Sequence, residues 1–131
     1  MAENQNETHK ILIVDDEPFN LDLLEQELEE AGYQVERATD GAEALEKLPS
    51  FMPDVMLLDY MMPKMNGLEV LARLRQDARY KTIPVILLTA KVQYEDVLGG
   101  YKLGADYYIT KPFTSTQLVN GINLLLGEGK A

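Results

Sequence analysis

Three short runs of this chain are apolar at every position: Ile11-Leu12-Ile13-Val14, Val55-Met56-Leu57-Leu58 and Val85-Ile86-Leu87-Leu88. Each is bounded by charged or turn-forming residues and is too short for a buried helix. A strand with one wet face alternates apolar and polar residues; a strand covered on both faces reads as these runs do. They call for a parallel sheet with helices on either side. Two mixed segments extend the set. Tyr33 to Ala38 interleaves Val35 with Gln34, Glu36 and Arg37, and Asp106 to Thr110 centres on Tyr107, Tyr108 and Ile109. Both read as edge strands.

Helical spacing fills the intervals. Leu21, Leu24, Leu28 and Ala31 recur every three or four residues, and Gly32 supplies a stop. Ala42, Leu45 and Leu48 follow Asp40, a candidate N-cap, and this helix is expected to end at Pro49. Leu68, Leu71 and Leu74 follow the turn signal Asn66-Gly67, and Leu118, Ile122 and Leu125 form the last stripe. Tyr94 to Lys102 is the weakest helix, because Gly99-Gly100 interrupts it at about 1 kcal/mol per glycine. Strand and helix thus alternate five times, with right-handed crossovers. Three buried strands and two edges suit a flavodoxin-like (βα)5 doubly wound parallel sheet of strand order 2-1-3-4-5. Other doubly wound orders satisfy the same periodic pattern.

With 131 residues there is room for one domain, set at 10–127 between a polar leader, 1–9, and a polar tail, 128–131. Hydrophobic residues make up 46% of the chain, enough for a real core, and the absence of cysteine excludes disulfides and thiolate metal sites. No signal peptide or membrane-length apolar run occurs, so a cytoplasmic protein without membrane insertion is expected. Twelve basic against 22 acidic residues leave a net charge of −10. The basic groups are scattered, with Arg73, Arg75, Arg79 and Lys81 the densest patch, and direct nucleic-acid binding is not expected.

In open α/β sheets ligands bind at the carboxyl ends of the strands. Here the first strand ends in Asp15-Asp16, the third in Asp59 and the fourth in Thr89, while the fifth runs into Lys111. In the expected order the first and third strands are neighbours, so three carboxylates converge. Such a cluster repels itself unless cations are near. Lys111 supplies one positive charge, and Mg²⁺ suits the remainder, since it takes a few carboxylate or carbonyl oxygens and accepts phosphate oxygens. Asp59 could then act as a nucleophile forming an acyl phosphate, with Thr89 and Lys111 meeting the transferred oxygens. Taken singly, each residue has a plainer reading. Asp15 and Asp16 could cap the first helix, Asp59 could be a turn residue, Thr89 a strand-end hydroxyl and Lys111 a solvated lysine. Their joint placement at four strand ends carries the case. The lone His9 sits in the leader as a solvated residue, so any phosphohistidine must come from another protein.

The segments ILIVDDEP, DVMLLDYMMPKMNGLEVL, IPVILLTA and GADYYITKPF, in this order and spacing from about Lys10 to Leu126, resemble the receiver domain of two-component response regulators. The resemblance implies a phosphoacceptor at Asp59 and an acidic pair at the metal in Asp15 and Asp16. It also implies a further ligand in the backbone carbonyl of Met61, and phosphoryl contacts from Thr89 and Lys111. It implies a switch in which Thr89 moves toward the phosphoryl group and Tyr108 turns inward, with a cis peptide at Lys111-Pro112. An ordinary edge aromatic is the plainer reading of Tyr108. Tyr107 stands where the family often has an acidic residue. Met61 and Lys91 lie where the family varies and tunes dephosphorylation.

The function so implied is a phosphoacceptor signalling protein, not an enzyme beyond its own phosphotransfer and autodephosphorylation. Its partners would be a sensor histidine kinase or a phosphotransfer protein and an unidentified downstream target, with a phosphorylation-dependent dimer as a further option. Two other readings are weighed. A receiver can act as an interaction module without phosphorylation. A small aspartyl-phosphate phosphohydrolase would carry a second Asp where Met61 stands. A flavin carrier or P-loop protein lacks its phosphate-binding loop here.

Overall fold

The computed structural model describes residues 8–60, 62, 66–90, 102 and 104–127. The expected helix over Tyr94–Lys102 lies outside this set except for Lys102, which is helical; Met61 and Lys91 lie outside it as well. In chain order the elements are β1 (Lys10–Val14), α1 (Pro18–Glu30), β2 (Gln34–Ala38), α2 (Gly41–Phe51), β3 (Val55–Asp59), α3 (Gly67–Gln76), β4 (Val85–Thr89), β5 (Tyr107–Thr110) and α4 (Ser115–Gly127). The strands form one parallel sheet in the order β2-β1-β3-β4-β5. The apolar runs are its three inner strands and the mixed segments its edges. No described helix is long and apolar enough to cross a membrane.

Alternation along the inner strands sorts the core into two layers. Leu12, Val14, Met56, Leu58, Val85 and Leu87 pack with Ala44 and Leu48 of α2 and Val70, Leu71 and Leu74 of α3. Ile11, Ile13, Val55, Leu57, Ile86 and Leu88 pack with Leu21, Leu24 and Leu28 of α1 and Leu118 and Ile122 of α4. Each fully buried Leu or Ile contributes roughly 1.5–3 kcal/mol of transfer free energy.

Pro18 opens α1 at its first turn, where a missing N–H is harmless. Gly32 closes it at φ +100°, with Tyr33 N–H donating to the Leu28 carbonyl and Gly32 N–H to that of Glu29, a Schellman pattern. Tyr33 therefore belongs to the helix cap, and β2 starts one residue later than its apolar pattern suggests. α2 departs from expectation twice. It runs through Pro49 to Phe51, because Leu48 is fully buried, Phe51 packs against the core, and Met52 N–H still reaches the Leu48 carbonyl at 2.9 Å. One lost backbone bond in the last turn does not outweigh that burial. Its buried stripe also runs through Ala44, with Ala42 exposed.

The N-terminus of α2 is tied by charge. Asp40 accepts from Glu43 N–H at 2.8 Å, while the Glu43 carboxylate accepts from the Thr39 N–H at 2.7 Å and its hydroxyl at 2.8 Å. The Thr39 N–H, then the Thr39 hydroxyl, hold the Glu43 carboxyl below its usual value. A depressed carboxyl pKa stabilises the fold above its unfolded value, and that contribution fades as pH falls through the lower folded value. Glu43→Gln is therefore expected to lower the thermal midpoint at pH 7 modestly and to flatten its decline below the ordinary value of 4.5. A melting series from pH 7 to pH 3 checks this; parallel curves for the two proteins would refute it.

At the end of the sheet where β4 and β5 begin, Arg75 gathers three segments. Its guanidinium donates to the carbonyls of Gly104 (2.7 and 3.0 Å), Ile83 (2.9 Å) and Lys81 (3.2 Å), and pairs with Asp106 at 3.1 Å. Asp106 in turn accepts from Val85 N–H at 2.8 Å. Gly104 adopts φ +107°, and a Cβ there would stand 2.7 Å from Arg75 Nε.

Candidate functional site

The register assembles the site. Val14 pairs with Leu58, so Asp15 and Asp59, each the next residue along, emerge side by side where β1 and β3 end. Asp15 is held there by its N–H, which donates to the Ala38 carbonyl at 3.1 Å. Asp15 and Asp59 are buried and Asp16 is exposed; one carboxylate oxygen from each of the three lies within 4.8 Å of the others. Asp15 does not cap α1, whose N-cap is Glu17 and which has no side-chain cap bond; its Oδ1 accepts from Glu17 N–H at 2.9 Å just ahead of the helix. Its Oδ2 faces the Lys111 ammonium at 3.5 Å and the Asn20 amide at 3.4 Å.

Lys111 arrives from the other side. Its N–H donates to the Thr89 carbonyl at 2.8 Å, and the Lys111-Pro112 peptide is cis. Its Nζ stands 3.5 Å from both Asp15 Oδ2 and Asp59 Oδ1. Thr89 ends β4 and is buried. Val85 and Leu87 share a core layer with Tyr108, which pairs in register with Leu87, so Thr89 and Tyr108 rise from the same face of the sheet. Tyr108 is half-buried. His9 stands at the opposite end of β1. It is less a solvated tail than expected, since its carbonyl accepts the Gln34 N–H at 2.9 Å and extends the sheet.

Among the described residues, three carboxylates face one ammonium. At an effective dielectric of about 20, each pair of charges at this separation repels by roughly 3 kcal/mol. The deficit is one of positive charge, and the donors are all hard oxygens without sulfur or imidazole. Such a set fits Mg²⁺ and does not suit a thiophilic metal.

Two contributors were not singled out from sequence. Gly67, noted only as part of a turn, lets α3 begin against the end of β3. A Cβ there would sit 2.6 Å from the Asp59 carbonyl oxygen, and Gly67 N–H donates to the Tyr60 carbonyl at 2.8 Å. Asn66 and Glu69 fix that start with a reciprocal capping box. Asn20 lies one helical turn into α1 and faces back toward Asp15. It also borders a groove of about 270 Å³ lined by Leu23, Leu24, Glu27, Pro112 and Phe113 together with Asp15 and Lys111.

A parallel sheet in this order with an acidic crevice at the β1–β3 ends defines a receiver-type α/β protein. The family model for the response regulator receiver domain matches residues 11–123, and the chain belongs to that family. Among its relatives, the DNA-binding dual master transcriptional regulator RpaA of Synechocystis is 43% identical over 117 residues, covering 89% of this chain and 48% of that protein. The alkaline phosphatase synthesis transcriptional regulatory protein PhoP of Bacillus subtilis is 44% identical over 117 residues, with the same two coverages, 89% and 48%. The chain thus spans about half the length of the curated relatives it matches. Among solved structures, the chemotaxis protein CheY4 of Vibrio cholerae superposes with a TM-score of 0.87 at 34% identity, covering 91% of this chain and 99% of that one. A CheY-like receiver domain protein of Methanospirillum hungatei gives 0.87 at 32% identity, covering 95% and 98%.

These relatives correct one expectation. Nucleic acid was excluded as a direct partner on the net charge of −10. RpaA is described as DNA-binding, and PhoP as a transcriptional regulatory protein. Charge fields are screened within about 8–10 Å, so the balance of one segment says nothing about what the other half of such a protein binds. The exclusion is withdrawn.

Proposed function

We propose that this receiver accepts a phosphoryl group on Asp59 from a partner's phosphohistidine in a Mg²⁺-dependent reaction, and so switches a partner-binding surface. The observation that carries the reading is the Lys111 ammonium 3.5 Å from both Asp15 and Asp59, inside a cluster of three carboxylates. Asp15, Asp16 and Asp59 would hold Mg²⁺. When bound, the ion supplies the positive charge that lets an anionic phosphoryl group approach an anionic nucleophile.

Asp59 is the nucleophile. One of its carboxylate oxygens forms the new bond to phosphorus as the phosphorus–nitrogen bond breaks, and the electron pair leaves with the imidazole, neutral when its second nitrogen carries a proton. Charge passes from the carboxylate to the phosphoryl oxygens. Lys111 meets one of them, and the Thr89 hydroxyl donates to another. Tyr108, on the same sheet face as Thr89, responds to that movement. Hydrolysis by water returns the Asp59 carboxylate and inorganic phosphate. A cytoplasmic setting, where phosphodonors and Mg²⁺ are abundant, fits this chemistry.

Intact mass after incubation with Mg²⁺ and acetyl phosphate tests the reading. One added phosphoryl group is expected, abolished by EDTA and removed by hydroxylamine, which cleaves acyl phosphates. Absence of an adduct, together with no response to beryllofluoride, would overturn it in favour of signalling by binding alone.

A further inference from the structure

Lys111 is shared between two carboxylates, and transfer must draw it toward the phosphoryl group. Asp15 then loses one of the donors to its Oδ2 while it stays buried, with 1% of its surface exposed. A buried anionic oxygen that loses a donor is destabilised. Among the described residues, the neighbour able to replace that donor is Asn20, whose amide approaches the same oxygen at 3.4 Å. Oδ1 is already committed to the Glu17 N–H at 2.9 Å.

We infer that Asn20 is a positioning residue that holds Asp15 Oδ2 when Lys111 moves to the phosphoryl group. The inference rests on the phosphoacceptor reading above. A neutral amide suits this task for two reasons. It donates a hydrogen bond without adding a cation that would compete with Mg²⁺. It also adds no carboxylate, which would repel the incoming group. Asn20 is carried on α1, whose Leu21 and Leu24 are buried under the sheet, so the amide stays put while Lys111, at the end of an edge strand, changes partner. Before transfer both donors serve Oδ2, and losing Asn20 should matter little. After transfer Asn20 is, among the described residues, the side-chain donor left to it beside the metal ion.

The test compares Asn20→Ala with the native chain in two states. Mn²⁺ binding, read by electron paramagnetic resonance, reports the metal-loaded site. Beryllofluoride binding at saturating Mg²⁺, read by tyrosine fluorescence or by nitrogen–proton NMR shifts, reports the phosphoryl-like state. Mn²⁺ affinity should change less than about two-fold, while beryllofluoride affinity falls roughly three- to ten-fold, the worth of one net hydrogen bond. Equal losses in both states of the otherwise native chain, or none in either, would overturn the inference. A native chain that binds neither ligand would instead sink the phosphoacceptor reading. Thermal midpoints separate either result from unfolding.

Discussion

An Asp59→Asn chain is expected to stay at its unmodified mass under conditions that load the native protein completely, and to melt a few degrees higher. The two effects share one cause. An amide of the same shape cannot offer an anionic oxygen to phosphorus, so loading stops without any change in packing. The same replacement removes one of three negative charges whose oxygens lie within 4.8 Å of one another, two of them on buried residues. Lys111 loses a partner but keeps Asp15 at 3.5 Å, so no buried charge is left alone. Relief of like-charge repulsion, partly offset by the lost attraction to Lys111, should add about 1–2 kcal/mol at pH 7 without divalent ions. Added Mg²⁺ should stabilise the native chain more than the variant and close the gap. Intact mass and calorimetry, each with and without Mg²⁺, check both parts. A variant that still takes up phosphoryl would place the nucleophile elsewhere, and a lower midpoint would mean that the carboxylates do not strain the fold.

Gly67→Ala is expected to destabilise the protein by about 2–3 kcal/mol, against the usual helical preference of up to about 1 kcal/mol for alanine over glycine. The new methyl carbon would stand 2.6 Å from the Asp59 carbonyl oxygen, 3.0 Å from Tyr60 Cα and 3.3 Å from the Asp59 carbonyl carbon. All three atoms are backbone, so no rotamer change relieves the contact. Either α3 backs away from the sheet or the end of β3 bends, and β3 carries Asp59. Slower phosphoryl uptake should accompany the loss of stability. Urea denaturation and the time course of the mass adduct measure the two consequences. Native-like stability would show that α3 can shift at little cost, and unchanged uptake would show that Asp59 does not follow the strain.

Much of this arrangement was legible in the chain itself. The three apolar runs are inner strands because nothing but burial on both faces tolerates such composition, and the polar residues that follow them can only sit at the rim. The order of strands was not decided by periodicity, which every doubly wound sheet shares; it rested on three buried runs and two mixed edges, a pattern other orders satisfy too, until register supplied it. What escaped had non-local causes. Pro49 reads as a helix stop until the burial of Leu48 and the packing of Phe51 are weighed against one backbone bond. Ala42 fits a helical stripe as well as Ala44 does, and only the neighbour in space chooses between them. Asn20 and Arg75 look like ordinary polar residues on amphipathic helices, since the partners that give them meaning lie in other segments. For Asn20 a faint signal existed, its place one turn into the helix that follows the acidic pair.

Arg75 gives the sheet an asymmetry with a chemical meaning. Burial lowers the guanidinium pKa somewhat, yet arginine remains a cation at any pH a folded protein meets. The carbonyls it holds cannot titrate at all. The hold of Arg75 on these carbonyls at the start of β4 and β5, as distinct from its pair with Asp106, is therefore insensitive to acid, metal and phosphate alike. At the far ends of β1, β3 and β4, by contrast, the groups are carboxylates, an ammonium and a hydroxyl, whose partners change with what is bound. One border of the sheet is anchored and the other is reactive, so the reactive border can be rearranged without unfastening the strands that carry it.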